Sequence, residues 1–139
     1  MIMQKVSMTR MIAKKHLNGN GILFGGQLMK WMDETAFIAA TRYTRKSTVT
    51  SSVDKILFRT PVKEGTFLEI TSYVKENKGY KLIVYTEVIV EEMYGKKTSI
   101  AAESWFSFVS LNEHGKPSRI KSESTKNELD QSYINKNKK

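Results

Sequence analysis

Residues 18–37 read Asn-Gly-Asn-Gly-Ile-Leu-Phe-Gly-Gly-Gln-Leu-Met-Lys-Trp-Met-Asp-Glu-Thr-Ala-Phe. A polar, glycine-rich loop leads into an apolar helix, and one carboxylate, Asp33, lies two turns into that helix. Because the first amides of a helix have no intrahelical acceptor, a helix start can polarise a carbonyl group. A carboxylate on an apolar helix face can act as a general base or nucleophile. The two features together indicate acyl chemistry.

Composition limits the classes of protein that fit. A chain of 139 residues is long enough for one domain with a real core. Absence of cysteine excludes disulfides and thiolate chemistry, and two histidines far apart in sequence argue against a histidine-rich metal site. No apolar run approaches the ~20 residues of a membrane span, and the N-terminus lacks the apolar core of a signal peptide. We therefore expect a cytoplasmic protein without a membrane partner.

The formal net charge is +9, and residues 116–139 are disproportionately basic. Such a balance suits anionic partners, which include nucleic acid, a membrane surface and a phosphorylated small molecule. A solvated, soluble surface explains the same charge, so charge alone leaves these alternatives open.

Hydrophobic periodicity gives the order of elements. A first strand within residues 2–14 precedes a loop at 15–24 and a helix from about Gly26 to Tyr43. Alternation then predicts four strands, at 48–58, 67–75, 80–91 and 98–109. Short turns join the last three strands, which indicates an antiparallel meander with the helix against one face of an α+β fold. We predict a domain at residues 1–119 and a basic, flexible tail at 120–139, because residues 117–139 show no core-forming pattern.

Three features of the opening stretch are candidates for chemistry. Asp33 has Met29 and Phe37 among its helical neighbours, so it is either a partly desolvated base or a surface carboxylate paired with Lys30. Gly25-Gly26 either permits tight packing or exposes an amide that donates to a carbonyl oxygen. Asn18 and its neighbour Asn20 are either turn formers, the more common role, or a source of an amide that orients a substrate or water.

Asp54 is a second candidate carboxylate, on the strand that follows the helix. Strict alternation places Val53 and Lys55 on the face opposite Asp54, and a salt-bridged surface aspartate is favoured over a catalytic one. Glu34 is assigned to solvent because it points about 100° away from Asp33 around the helix. The sequence has no Gly-x-Ser-x-Gly, no phosphate-binding glycine loop and no metal-ligand helix motif, so we expect no metal.

The pattern Asn-Gly-x-x-Phe-Gly-Gly-x-Leu-Met-x-x-Met-Asp resembles a signature of the hot-dog-fold acyl-CoA thioesterases, particularly the bacterial YciA-type and animal cytosolic hydrolases. Residues 49–65, Val-Thr-Ser-Ser-Val-Asp-Lys-Ile-Leu-Phe-Arg-Thr-Pro-Val-Lys-Glu-Gly, resemble a second signature of that family. Residues 108–117 supply a third match, and the resemblance covers about residues 5–120.

This resemblance implies a hot-dog fold, in which a long antiparallel sheet wraps around one central helix. It further implies a homodimer with sheets joined edge to edge and active sites at the interface, commonly assembled as a trimer of dimers. The catalytic carboxylate falls on Asp33, the catalytic asparagine on Asn18 and the polarising amide on Gly26, with Asn18 and Asp33 meeting from different subunits. Many bacterial members carry an acid at the position of Ile22, and some animal members carry histidine at that of Phe24, so the acyl-chain preference stays open.

The expected reaction is hydrolysis of acyl-CoA to CoA and a free fatty acid, with Asp33 as general base or nucleophile. Gly25, Arg59, Lys116 and Arg119 are the expected contacts to CoA, which is part of the substrate, so no separate cofactor is expected. A hydratase or dehydratase of acyl thioesters, for which His16 lies near the right loop, and a non-catalytic acyl-CoA-binding protein are the alternatives. A nucleic-acid-binding module is disfavoured because the strand aromatics mostly follow the apolar alternation.

Overall fold

The structure is a computed structural model and describes residues 4–121. Its regular elements, in chain order, are β1 (Val6–Met11), a short 3₁₀ helix (Lys14–His16), α1 (Gly25–Thr44), β2 (Thr48–Phe58), β3 (Thr66–Asn77), β4 (Leu82–Glu92), β5 (Thr98–Leu111) and β6 (Pro117–Ser118). The predicted helix and the four predicted strands after it are confirmed, with ends that differ by at most two residues. Such differences lie within the usual uncertainty of element ends.

The strands form one antiparallel sheet in the order β1-β3-β4-β5-β2, and β6 pairs with the end of β5. The predicted meander is the central β3-β4-β5 unit. One face of the sheet packs on α1, as the predicted α+β hot-dog fold requires. The edge strands are β1 and β2, and among residues 4–121 no strand pairs with the outer edge of β2.

The core lies between α1 and the inner face of the sheet. Small helix residues, Ala36, Ala39 and Ala40, are buried there and permit close approach of the helix backbone. The alternation predicted for β3 and β4 is borne out, because every second residue from Leu68 to Ser72 and from Leu82 to Val90 is buried. Burial of apolar surface between these two layers is the main stabilising term of the fold.

The edge strand β2 departs from strict alternation at two points. Its register against β5 shifts between Thr50 and Ser52 and again between Val53 and Lys55, which is the signature of β-bulges. Val53 pairs with the inward-facing Phe106, whereas Lys55 pairs with the outward-facing Trp105. The prediction that Val53 and Lys55 share a face is therefore wrong, because the bulge at Asp54 inserts one extra residue between them.

The C-terminal end of the described chain packs on the domain. Pro117–Ser118 forms β6, and the Ile120 amide donates to the Gly79 carbonyl at 2.6 Å. The Ile120 side chain is 5% exposed and belongs to the core, although the sequence pattern assigned it to the tail. A tail would therefore begin after Ile120. Residues 122–139 lie outside the described residues, so the proposed tail stays a prediction.

Candidate active site

The start of α1 leaves several backbone amides without a helical acceptor. The N-cap residue, Phe24, gives no side-chain cap, and the first turn carries no acidic residue. The first helical hydrogen bond runs from the Leu28 amide to the Phe24 carbonyl at 3.1 Å. The amides of Gly25, Gly26 and Gln27 precede that bond, so their donors lie at the positive end of the helix dipole.

The two glycines at this helix start differ in their surroundings. Apart from its chain neighbours and the adjacent helix backbone, a Cβ added to Gly26 would meet no heavy atom of residues 4–121 within 4 Å, whereas one added to Gly25 would lie 3.5 Å from Cζ of Phe58. Both spacings permit a side chain, so neither glycine is required for packing within this chain. The space above Gly26 is therefore open to a substrate or a partner subunit.

Asp33 lies two turns into α1, half-buried, on the side that faces β2. Its Oδ1 accepts a hydrogen bond of 2.7 Å from Oγ1 of Thr50. The ion pairs of residues 4–121 do not include Asp33 with Lys30; they join Arg10 to Glu34, Arg59 to Glu103 and Glu113 to His114. Asp33 is thus oriented by a neutral donor on the edge strand, and one of its carboxylate oxygens has no partner within the described residues.

Thr50 is a functional candidate that sequence reasoning missed. The resemblance placed it within the signature at residues 49–65, but nothing in the alternation distinguished it from other polar residues of β2. It faces α1 because it pairs with the inward-facing Phe108, immediately before the first bulge. Only the pairing register reveals that its hydroxyl meets Asp33.

Asn18 holds the loop before α1 in a fixed shape. Its Oδ1 accepts hydrogen bonds from the amides of Asn20, at 2.8 Å, and Ile22, at 3.1 Å. The predicted turn-forming role is therefore present. Within residues 4–121, no hydrogen bond joins Asn18 to Asp33, and the Nδ2 group of Asn18 has no acceptor. The same side chain can thus shape the loop with its oxygen and offer its amide hydrogens to another molecule.

An apolar pocket of about 360 Å³ opens beside Gly25, between the start of α1, the end of β2 and the segment that follows it. Its size falls at the lower end of the range of small-molecule sites. Apolar side chains supply most of its wall: Ile22, Leu23, Leu28, Phe58, Pro61 and Val62. Arg59 and Thr60 also line it.

Arg59 is held by an acid on the neighbouring strand. Its Nε donates to Oε1 of Glu103 at 2.9 Å, its Nη2 contacts the same oxygen, and the Tyr85 hydroxyl donates to Glu103 Oε2 at 2.7 Å. The Arg59 bond, followed by the Tyr85 bond, holds the pKa of the Glu103 carboxyl below its ordinary value. Burial is the main factor that raises the pKa of the Tyr85 hydroxyl, and the hydrogen bond to Glu103 and its negative charge raise that pKa further. The charge of Arg59 is therefore already compensated.

The two other predicted CoA contacts, Lys116 and Arg119, lie at the end of the sheet opposite to Arg59. Lys116 is in the β5–β6 turn, and the Arg119 guanidinium lies 5.9 Å from the centre of the Tyr80 ring in the β3–β4 turn. That end of the sheet is the end at which α1 terminates, since Asn77 contacts both Tyr43 and the backbone of Ile120. One chain therefore does not bring Lys116 and Arg119 together with Arg59.

His16 has neighbours that do not resemble an acid-paired catalytic histidine. Its Nδ1 accepts from the Ala13 amide at 3.1 Å, and its ring meets Trp31 edge-on at a centroid distance of 4.9 Å. In the described part of the chain, the ion pair that involves a histidine is the exposed His114–Glu113 pair. A dehydratase site built on His16 therefore lacks a paired acid among residues 4–121.

Asp54 sits in a bulge and serves the strand. It accepts hydrogen bonds from Ser107 at 2.6 Å and Ser52 at 2.7 Å, and these bonds, the Ser107 bond first, hold the pKa of the Asp54 carboxyl below its ordinary value. These serines take the place of the predicted salt bridge. Residues 4–121 contain no group of three or more acidic, histidine or cysteine side chains placed to hold a metal ion.

The outer face of the sheet carries three strand aromatics, on the side opposite the buried residues of the alternation. Tyr73, Tyr85 and Trp105 lie side by side across β3, β4 and β5, and the Lys75 ammonium lies 5.5 Å from the centre of the Tyr85 ring. Glu87 and Glu103 pair in the adjacent row. Since Glu103 already pairs with Arg59, this face carries charges of both signs around its aromatic residues.

Comparison with known proteins identifies the family. Residues 20–95 match the model of the thioesterase superfamily, and the chain belongs to that superfamily. A Bacillus subtilis protein named as an uncharacterised acyl-CoA thioester hydrolase is 34% identical over 113 residues, which cover 81% of this chain and 66% of that protein. This chain therefore spans about two thirds of that relative's length.

Solved structures show the same hot-dog fold. An acyl-CoA hydrolase mutant from Staphylococcus aureus, in complex with coenzyme A, is 28% identical with a TM-score of 0.81 and covers 85% of this chain and 71% of its own. The same hydrolase has also been solved with butyryl coenzyme A. A hexameric thioesterase from Yersinia pestis is 28% identical with a TM-score of 0.78 and covers 86% of this chain and 96% of its own.

Among residues 4–121, no helix is long and apolar enough to cross a membrane.

Proposed function

We propose that this chain is an acyl-CoA thioesterase that hydrolyses acyl-CoA to CoA and a free fatty acid. The observation that carries the proposal is the arrangement of Asp33 on α1. Its carboxylate is oriented by Thr50, and it lies on the same helix as the free amides of Gly25 and Gly26 beside an apolar pocket. A base, an oxyanion donor and a place for an apolar group are what thioester hydrolysis needs.

In the proposed reaction the thioester carbonyl lies against the start of α1. The Gly26 amide donates to the carbonyl oxygen as negative charge develops there, and loss of one such donor typically costs ~3 kcal/mol of transition-state stabilisation. Asp33 either removes a proton from water or attacks the carbonyl to form an anhydride that water then cleaves. In both routes the C–S bond breaks, one water molecule is consumed, and the departing sulfur takes up a proton. In the direct route the acyl carbon takes its new oxygen from water, whereas in the anhydride route it takes that oxygen from Asp33 when water opens the anhydride at the aspartyl carbon.

A single-turnover reaction in H₂¹⁸O reveals the anhydride route when water opens the anhydride at the aspartyl carbon. If water attacks the thioester directly, the label enters the fatty acid and Asp33 stays unlabelled. If Asp33 attacks first, the first turnover transfers one of its own unlabelled oxygens to the fatty acid when water opens the anhydride at the aspartyl carbon. Mass spectrometry of the peptide that contains Asp33 then detects the label in the protein.

The proposed active unit is a homodimer joined through β2. No strand within residues 4–121 pairs with its outer edge, and exposed apolar side chains lie along it and on or just before the adjacent part of α1: Phe24, Met29, Phe37, Val49, Val53 and Phe58. Exposed apolar groups beside an unpaired edge favour association with a second copy. Assembly of such dimers into a hexamer is the corresponding proposal for the larger oligomer.

Dimerisation also supplies the cationic residues that one chain keeps apart. Antiparallel pairing of two β2 strands sets the Phe58 end of one beside the Thr48 end of the other. The partner subunit's Lys116 and the partner subunit's Arg119 then approach the end of the site that contains Arg59. We propose these residues as contacts for the CoA phosphates, with Asn18 contributed to each Asp33 by the partner.

The placement of the proposed residues is supported by their spacing. Three structures of the Staphylococcus aureus hydrolase are alanine mutants of an asparagine, an aspartate and a threonine. Those three positions are spaced along that chain as Asn18, Asp33 and Thr50 are spaced along this one.

A cytoplasmic location remains a prediction.

The variant Asp33→Asn tests the proposal. Loss of a general base typically lowers the rate by ~10²–10⁴-fold, whereas affinity for CoA, measured by calorimetry, should stay near that of the wild type. Glu34→Gln is the matched control, because Glu34 is the adjacent helix carboxylate and pairs with Arg10. Near wild-type turnover by Asp33→Asn, or an equal loss in Glu34→Gln, would contradict the assignment of Asp33.

A further inference from the structure

We infer that the pocket beside Gly25 holds the hydrocarbon end of an uncharged acyl group and that the ring of Phe58 limits the length of that group. The inference rests on the proposed function and specifies its substrate class. It starts from position, since Gly25 lines the pocket and Gly26 follows it. A carbonyl group held by the Gly26 amide therefore has its neighbouring atoms at the pocket mouth.

The pocket suits a hydrocarbon better than the CoA arm. That arm contains two amide groups, and burial of an amide without hydrogen-bond partners is costly. The polar side chains of the pocket are already engaged, because Thr60 Oγ1 donates to the Ile100 carbonyl at 2.9 Å and Arg59 donates to Glu103. Six apolar side chains supply the rest of the wall. An acyl chain needs no partner there and gains free energy from leaving water.

The compensated charge of Arg59 selects against an acyl group that ends in a carboxylate. A free guanidinium at a pocket wall would attract such a carboxylate, ordinarily through two parallel hydrogen bonds. Here Arg59 donates Nε to Glu103, whose other carboxylate oxygen accepts from Tyr85. A second carboxylate would have to displace Glu103 or lie near its negative charge. Neutral acyl groups avoid both costs.

Phe58 is the part of the wall that can set chain length. Its side chain is 57% exposed, and its ring approaches the start of α1, with Cζ 3.5 Å from the position of a Cβ on Gly25. The ring therefore closes the pocket against the helix without being locked in the core. Replacement by alanine removes that wall, and light scattering checks that the variant keeps the oligomeric state of the wild type, because Phe58 also lies on the proposed dimer edge. A larger side chain at Ile22, on the facing loop, would fill the pocket.

The experiment measures kcat/KM for saturated acyl-CoA substrates from acetyl to lauroyl, and for succinyl-CoA, with the full chain. For Phe58→Ala we expect the optimum to move at least two carbons towards longer chains, with roughly fourfold gain for each added methylene that becomes buried. Ile22→Phe should move the optimum towards shorter chains. Tyr94→Ala is the control, because Tyr94 is 96% exposed in the β4–β5 turn and should leave the profile unchanged. Calorimetric affinity for free CoA should be the same in all four proteins.

Each adverse result has a distinct meaning. A wild-type enzyme whose chain-length profile is not moved by Phe58→Ala overturns the inference while the thioesterase proposal stands. Weaker binding of free CoA by Phe58→Ala overturns it as well, since the pocket would then hold the CoA arm. Succinyl-CoA turned over as well as butyryl-CoA overturns the preference for uncharged groups. Absence of hydrolysis by the wild type overturns the proposed function. In that case, calorimetry compares the binding of free CoA with that of a hexanoyl thioether of CoA, which cannot be hydrolysed. Equal affinity for the two compounds overturns the pocket inference too. Tighter binding of the thioether, weakened by Ile22→Phe, supports the pocket inference.

Discussion

Thr50 Oγ1 donates a 2.7 Å hydrogen bond to Oδ1 of Asp33, and this contact joins the edge strand to the central helix. It makes the orientation of the proposed base depend on the register of β2. The first bulge of β2 follows Thr50 directly, so the strand places this hydroxyl inward before it shifts register. The same strand supplies the proposed dimer edge, which means that assembly and orientation of the carboxylate share one element.

The variant Thr50→Val should therefore lower turnover without loss of the fold. Valine keeps the shape of threonine but removes the donor, and a hydrogen bond to a charged group contributes enough to predict a roughly 10- to 100-fold decrease in kcat. Steady-state kinetics on a saturable acyl-CoA, with thermal unfolding alongside, measure both properties. Thr50→Ser retains the hydroxyl and should recover most of the activity. Wild-type turnover by the valine variant would mean that the contact does not orient Asp33 for the reaction.

Periodicity predicted the helix and the meander because each of these elements buries one continuous apolar face. It failed at β2, where the extra residue at Asp54 puts Val53 and Lys55 on different faces. A bulge leaves no mark in a hydrophobic pattern, because the residues around it are already exposed. Ile120 escaped prediction for a related reason: one apolar residue among polar neighbours has no period, and only its contact with the β3–β4 turn reveals its burial.

The candidate site likewise contains some spatial relationships that the sequence predicts and others that it does not. The position of Asp33 two turns after Gly26 on one side of α1 was predictable because a helix fixes that spacing, while the catalytic roles of both residues stay predictions. The Thr50 contact depends on strand register, and the separation of Arg59 from Lys116 and Arg119 depends on the direction of β5 in the sheet. Neither is a local property of sequence.

Mixing two inactive variants tests whether the site is shared between subunits. Asn18→Asp should keep both loop hydrogen bonds, since its carboxylate can still accept from Asn20 and Ile22, but it loses the amide donor. Asp33→Asn loses the base. In a random mixture, half of the dimers are mixed and each has one site with both wild-type residues, so we expect about a quarter of wild-type activity. Activity no greater than the sum of the two variants, or a fully active monomer in light scattering, would contradict a shared site.

The Glu103 cluster predicts a pH-dependent contribution to stability. Hydrogen bonds from Arg59 and then Tyr85 lower the pKa of Glu103 in the folded protein, so its stabilising contribution is complete above the ordinary glutamate pKa of about 4.3. That contribution is lost as the pH falls through the lowered folded-state pKa. Glu103→Gln should therefore lower Tm at neutral pH and approach the wild type in acid. Thermal unfolding between pH 3 and pH 7 measures the difference.

Glu91→Gln is the control for this titration, because Glu91 is an exposed glutamate at the end of β4. Its difference from the wild type should stay small and nearly constant with pH. If Glu103→Gln destabilises the protein equally at every pH, the hydrogen-bonded carboxylate does not account for its effect.

Two truncations that differ by two residues locate the end of the domain. Removal of 122–139 should leave the free energy of unfolding and turnover near their full-length values. It also removes only four lysines against three acidic residues, so CoA affinity should change little with salt. Removal of 120–139 also deletes Ile120, whose side chain is in the core and whose amide binds Gly79, and should cost about 2 kcal/mol or more. Ile120→Ala in the full chain separates the side-chain effect from the loss of backbone. Equal stability of the two truncations would place the domain end before Ile120, whereas a large fall in turnover after removal of 122–139 would assign that segment to the active site.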